Sequence, residues 1–135
     1  MSVGSFILIK NEKLWIGPHI KAWLPYLDEM VFFDGNSTDG TLEIIEYCKK
    51  KYDRYDKIRV FHDKDPKDLK DDYVRMFDEC LHALRTDWAI FLHPDMHPCN
   101  PGKLNEIKLS DGIAKFCHLR SFGGNPDDVW MEMAS

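Results

Sequence analysis

In this 135-residue chain the run Trp88–His97, WAIFLHPDMH, places His93, Asp95 and His97 at alternate positions. Proline pushes the residue before it toward extended backbone, and Pro94 and Pro98 each follow one of the histidines. In extended backbone alternate side chains project to one side, so the spacing predicts that positions 93, 95 and 97 face one way as a metal site with Asp95 foremost. Imidazole beside carboxylate suits manganese or zinc better than magnesium, which prefers an all-oxygen shell. Cys99 would complete a four-ligand zinc set with these three, an alternative that the spacing leaves open. A second carboxylate, Asp34, stands in MVFFDGNSTDGT, Met30 to Thr41, where a buried strand runs into a helix start.

The elements that position these groups follow from the apolar pattern. Val31, Phe32 and Phe33 form a bulky, β-prone run without polar alternation, as expected of a parallel strand covered on both faces. Gly35 and Asn36 permit a turn with positive φ, and Ser37, Thr38 and Asp39 are good N-cap residues for a helix beginning near Gly40. Ligands of open α/β sheets bind beyond the carboxyl ends of the strands, which is where Asp34 and its turn stand. Ser5–Ile9, Ile58–Phe61 and Trp88–Leu92 read as three further strands. Helical faces are described by Ile16, Ile20, Trp23, Leu24 and Leu27, by Leu42, Ile45 and Cys48, and by Tyr73, Met76, Phe77, Cys80 and Leu84, with Pro25 ending or kinking the first helix. The strands end in Lys10-Asn11-Glu12, Asp34, His62-Asp63 and His93-Pro94-Asp95. The charged segment Lys64–Asp72 reads as an exposed loop able to close on a ligand, 101–108 as a short helix and Ile113–Leu119 as a fifth strand. Strand alternating with helix implies right-handed crossovers and an α/β fold with a mostly parallel sheet and flanking helices.

Length and composition predict one folded domain, with 44% hydrophobic and 13% aromatic residues to build a core. A net charge of −5 disfavours nucleic acid as a general partner, because phosphate binding wants a basic face. No stretch approaches the roughly 20 apolar residues of a membrane span, and Phe6–Ile9 is too short for a signal segment, so the expected location is the cytoplasm. Cys48, Cys80, Cys99 and Cys117 show no CxxC spacing and are expected to be reduced packing residues. The oligomeric state is not written in the sequence.

The segment Asp34 to Thr41, an Asp, a small turn and then Ser-Thr-Asp-Gly-Thr, resembles the nucleotide-sugar-dependent glycosyltransferases of the GT-A fold, especially the family 2 type. Asn11-Glu12 after the first strand and the fourth strand running into His93-x-Asp95 resemble the same family, whose Asp-x-Asp has its first Asp replaced here by His93. The resemblance covers about Phe6 to Pro98. It implies a GT-A sheet with strand order 3-2-1-4, a donor-binding part over 1–98 and the start of an acceptor side over 99–135. It further implies a nucleotide-diphosphate sugar donor, a hydroxyl acceptor on a glycan, lipid or protein, and a divalent metal that offsets charge on the leaving diphosphate. The nucleotide-binding set so implied is Lys10, Asn11, Glu12, Asp34, Ser37, Asp63, Arg75 and His93, with Arg120 a further basic residue able to approach phosphate and Asp34 accepting a hydrogen bond from the base. Asp127, Asp128 and Glu132 are the candidates for a catalytic base, and no motif separates them. A catalytically incomplete nucleotide- or metal-binding module of the same origin is the alternative that the short tail and His93 leave open.

Overall fold

The computed structural model describes residues 2–62, 73–98 and 104. Its elements run β1 (Val3–Ile9), α1 (Ile16–Trp23), a single 3₁₀ turn (Leu24–Tyr26), β2 (Glu29–Asp34), α2 (Thr41–Tyr52), β3 (Ile58–His62), α3 (Tyr73–Ala83) and β4 (Trp88–Phe91). Pro25 fits the first turn of a 3₁₀ segment but not the interior of an α-helix, which is why α1 stops at Trp23. All strand pairs are parallel and the order is β3-β2-β1-β4, as the family resemblance implies.

The side-chain alternation of β1 and β2 sorts the core into two layers. Val3, Ile7, Ile9, Met30 and Phe32 pack with Ile16, Ile20, Ile45 and Cys48 of α1 and α2, whereas Phe6, Val31 and Phe33 pack with Met76 and Cys80 of α3. The handedness of the crossovers requires this division. From β1 to β2 to β3 the chain steps one way across the sheet, putting α1 and α2 on one face. The return from β3 to β4 steps the other way, and a right-handed connection then puts its helix on the opposite face. Burial raises both described thiols, Cys80 to about 12, so Cys48 and Cys80 are free packing residues without nucleophilic character at neutral pH. Among the described residues no helix is long and apolar enough to cross a membrane.

The amino end of the sheet is closed by polar ties. Glu29 is buried and pairs with the Arg59 guanidinium, which also donates to the Ala83 carbonyl, while the second Glu29 oxygen accepts from the Arg85 N–H at 2.9 Å. Asp28 accepts from the Val3 N–H at 2.8 Å, and Asp87 accepts from the Ser2 N–H at 2.9 Å. Asp53 accepts from the Lys57 and Ile58 N–H groups, both at 2.8 Å.

Gly4 marks the closest approach of β1 to the loop before β4, since a Cβ there would lie 2.5 Å from Thr86 Oγ1 and 2.9 Å from Leu84 Cδ2. Gly4→Ala is expected to lower stability by about 1–3 kcal/mol through overpacking, measured as a lower urea midpoint, and Thr86→Ala in the same chain should recover part of the loss. An unchanged midpoint would show that the 84–86 loop yields freely.

Candidate functional site at the strand ends

The carboxyl ends of β1 and β2 lie side by side, with Ile9 paired to Asp34 and Asp34 to His62. Asp34 is buried, and its carboxylate accepts from Ser37 twice: from the hydroxyl at 2.6 Å and from the N–H at 3.2 Å. His62 Nδ1 lies 3.9 Å from Asp34 Oδ2, the oxygen that accepts the Ser37 N–H, on a side chain that is itself exposed. The turn between has the positive φ expected of this segment, taken by Asn36 at φ 64°, a left-handed conformation that asparagine tolerates. Gly40, at φ 96°, occupies the N-cap of α2 without a side-chain cap, and the Asp39 carboxylate instead accepts the Thr41 N–H at 3.1 Å.

The Ser-Thr-Asp-Gly-Thr segment is bonded to the loop that follows β1. Ser37 Oγ accepts from the Asn11 N–H at 2.9 Å, and Asn11 Oδ1 accepts from the Thr38 N–H at 2.8 Å. The Glu12 N–H donates to Thr41 Oγ1 at 2.9 Å and the Lys13 N–H to Asp39 Oδ2 at 3.1 Å. The Thr41 hydroxyl in turn donates a hydrogen bond to Asp39 Oδ1. Every one of these bonds joins a side chain to a backbone group across the two loops or closes the turn that presents it. The hydrogen bond from the Thr41 hydroxyl, with those from the Lys13 and Thr41 N–H groups, holds the Asp39 carboxyl below its ordinary value.

Across the sheet, β4 runs directly into a turn in which the Met96 N–H donates to the His93 carbonyl at 3.0 Å. Here the sequence expectation is corrected. Positions 93, 95 and 97 do not line one side of an extended strand, because Pro94 and Asp95 are the corner of this turn. His93 packs edge-on to Phe91, with ring centroids 5.0 Å apart, and His97 stands 6.4 Å from the Trp15 ring. Among the described residues no three His, Cys, Asp or Glu side chains are gathered to hold a metal ion. Partial burial, then the charges of Asp95 and Asp39, raise the Glu12 carboxyl above its ordinary value, with His93 opposing.

Of the other residues singled out by sequence, Lys10 is exposed just beyond β1, and Arg75 is exposed on α3 in an ion pair with Glu79 at 2.9 Å. Asp63, Cys99, Cys117, Arg120, Asp127, Asp128 and Glu132, the 64–72 loop, the fifth strand and all of the expected 101–108 helix but Leu104 lie outside the described residues; Leu104 is helical and buried in the core layer of α1 and α2. Two open concavities of about 460 and 440 Å³ lie on the outer face of α2 and beside Lys21, Pro25 and Tyr55, away from the carboxyl ends of the strands. We place the site by the chemistry of those ends, because neither concavity holds convergent functional groups.

Sequence reasoning missed His19. It lies on the apolar face of α1, fully buried, with Nδ1 3.1 Å from the Met96 carbonyl, which also accepts from Trp23 Nε1 at 2.8 Å. The proton is therefore on Nδ1, and Nε2 is left buried with no hydrogen-bond partner. Its only sequence signal is a polar residue at the i and i+4 spacing of a core face. Burial holds His19 down to about 4, against 6.5 for an ordinary histidine. Between those two values the unfolded chain binds a proton that the folded chain refuses, so His19 withdraws stability as pH falls from 6.5 toward 4. The loss reaches at most roughly 3 kcal/mol. His19→Asn, which keeps a donor for Met96 but does not titrate, is expected to flatten the acid limb of urea midpoints plotted against pH; parallel limbs would show that His19 is protonated as readily folded as unfolded.

No curated protein matches the chain. The family described as glycosyl transferase family 2 matches residues 6–106, from inside β1 through the turn that carries Asp95 and beyond. That span covers both loops laced at the carboxyl ends of β1 and β2, and most of the 135 residues, so the chain belongs to glycosyl transferase family 2.

Proposed function

We propose that this chain binds a nucleotide-diphosphate sugar in the crevice between the loops after β1 and β4, and that the sugar is transferred from there to a hydroxyl acceptor. The observation that carries the reading is the position of Glu12 and Asp95. The order β3-β2-β1-β4 reverses at β1, so the crevice between the carboxyl ends of β1 and β4 is the switch point where open α/β sheets bind ligands. Glu12 leaves one side of it and Asp95 the other, near enough for the Asp95 charge to raise the Glu12 carboxyl. Carboxylates so placed repel one another and a diphosphate alike, and they favour a ligand that brings a cation.

In this reading Asp95 holds a divalent cation together with the donor's phosphates, and the cation offsets the charge on the leaving diphosphate. With His93 beside the crevice, manganese is preferred to magnesium. Asn11, pinned to Ser37 and Thr38, and Lys10 border the phosphates. Asp34 keeps lone pairs beyond those used by Ser37 and stands beside His62, and this pair addresses the ribose or base from the end of β2. A donor-binding module without transferase activity is the second reading, favoured by His93 standing where a family 2 protein carries the first Asp of its pair.

Titration calorimetry of UDP and GDP against the chain, with Mn²⁺ or Mg²⁺ present, tests the site. Binding is expected to be stronger with Mn²⁺, and Asp95→Ala should weaken it tenfold or more, about 1.4 kcal/mol, without lowering thermal stability, since Asp95 is exposed. Equal affinity in both proteins would place the nucleotide elsewhere. Asp34→Asn should weaken uridine or guanosine, which lack phosphates, by about 1–3 kcal/mol; a loss confined to the diphosphate would reverse the ligand in the crevice. Binding without transfer to any hydroxyl acceptor would favour the second reading.

A further inference from the structure

We infer that His19 and Trp23 are positioning residues for Asp95: from α1 they fix the turn after β4, and so the placing of its carboxylate in the crevice. The inference rests on the donor-binding reading for its ligand and on the geometry of Met96 for its mechanism.

Asp95 is exposed at the corner of a turn, and an exposed turn by itself leaves its corner residue free to wander. Met96 removes that freedom from both sides of one residue. Its N–H closes the turn on the His93 carbonyl at 3.0 Å, and its carbonyl receives two ring N–H donors, His19 Nδ1 at 3.1 Å and Trp23 Nε1 at 2.8 Å. A carbonyl has two lone pairs, so this one is filled by side chains reaching from 77 and 73 residues away along the chain. Both donors lie on rings held by packing: His19 is fully buried, Trp23 nearly so, and the two rings are 6.3 Å apart on successive turns of the helix. The Met96 sulfur adds a contact of 3.5 Å from the His93 N–H, and Pro94 is buried at the preceding position. A rigid helix thus holds the backbone just after Asp95, and the turn's own bond ties Met96 back to His93, while the Asp95 side chain stays open to solvent.

This arrangement has no evident use as core packing alone. A phenylalanine at 19 and another at 23 would fill the same space without leaving a buried imidazole nitrogen unpartnered, as Nε2 of His19 is. What the ring N–H groups add is direction. Groups that bind phosphate-bound cations or reacting atoms must be held to a fraction of an ångström, and supporting hydrogen bonds from rigid elements are the means of doing so.

The test uses the full chain and the variants Trp23→Phe, His19→Phe and His19→Asn. Amide hydrogen exchange over 92–98 and calorimetric titration of UDP and GDP with Mn²⁺ are measured for each. The two phenylalanine variants are expected to raise exchange selectively over 92–98 and to weaken the nucleotide by about threefold to tenfold, the worth of one hydrogen bond. His19→Asn, whose amide can replace the Nδ1 donor, should restore both toward wild type, an outcome that loss of core packing would not give. Exchange that rises evenly across the sheet, or nucleotide affinity that stays constant while the turn loosens, would overturn the inference. If one phenylalanine variant does not fold, the other decides. If the wild-type chain binds neither UDP nor GDP, the donor-binding reading and the positioning role toward it both fail, and exchange alone still decides whether the two rings hold the turn.

Discussion

The burial of β1 and β2 on both faces governs where this chain can place polar chemistry. Every residue of β2 is buried, and its two carboxylates, Glu29 and Asp34, stand at its opposite ends. A buried carboxylate must be compensated, and the two ends do so differently. Glu29 meets a guanidinium and a backbone N–H, so its charge is cancelled at the amino end of the sheet. Asp34 meets a hydroxyl and an N–H of Ser37, neutral donors that stabilise the anion without cancelling it, with His62 farther off. One end of β2 is a closed ion pair that fixes the edge strand. The other is held by the neutral donors of Ser37 at the carboxyl end of the sheet.

The same burial makes most of the fold legible from sequence. Continuous apolar runs followed by polar turns gave the strands, the helical faces followed from residues three and four apart, and the strand order came with the family signature. The locations of Asn11, Glu12, Ser37 and Asp95 were legible because each lies shortly past a strand, where the backbone itself dictates position. What escaped was long-range or conformationally ambiguous. His19 and Trp23 sit at core periodicity and read as packing, and nothing local marks that both rings meet the carbonyl of Met96. The extended reading of 93–97 failed because proline restricts the residue before it and leaves Asp95 free to take a turn corner. Proline is also the preferred second residue of a β-turn, so His93-Pro94-Asp95 supports either geometry, and the Met96 N–H to His93 carbonyl bond chooses the turn.

The Ser-Thr-Asp-Gly-Thr segment reads as a ligand loop, but in the fold its side chains are spent mainly on the neighbouring loop. Ser37, Asp39 and Thr41 accept from the N–H groups of Asn11, Lys13 and Glu12 respectively, groups that have no strand or helix partner of their own. The lacing joins the ends of β1 and β2 into one body, so the side chains of Asp34 and Glu12 are carried on connected loops. It also explains why Asn11 adopts a positive φ of 54°: the turn aims its N–H and its side-chain oxygen at Ser37 and Thr38 together.

Two halves of the crevice are therefore anchored separately, and α1 connects them. The Glu12 carbonyl accepts from the Trp15 and Ile16 N–H groups at 3.1 and 3.0 Å, which carries the β1 loop directly into the first turn of the helix. One turn on, His19 and then Trp23 hold the carbonyl of Met96 and with it the turn that bears Asp95. Glu12 and Asp95 come from distant parts of the sequence, yet the backbone of each is referenced to a single helix of eight residues packed against the sheet by Ile16 and Ile20. A shift of α1 along its axis would move both carboxylates together and preserve the crevice, whereas loss of the ring N–H bonds would release only one. The backbones that carry the two carboxylates are thus both tied to the interior of the protein through α1.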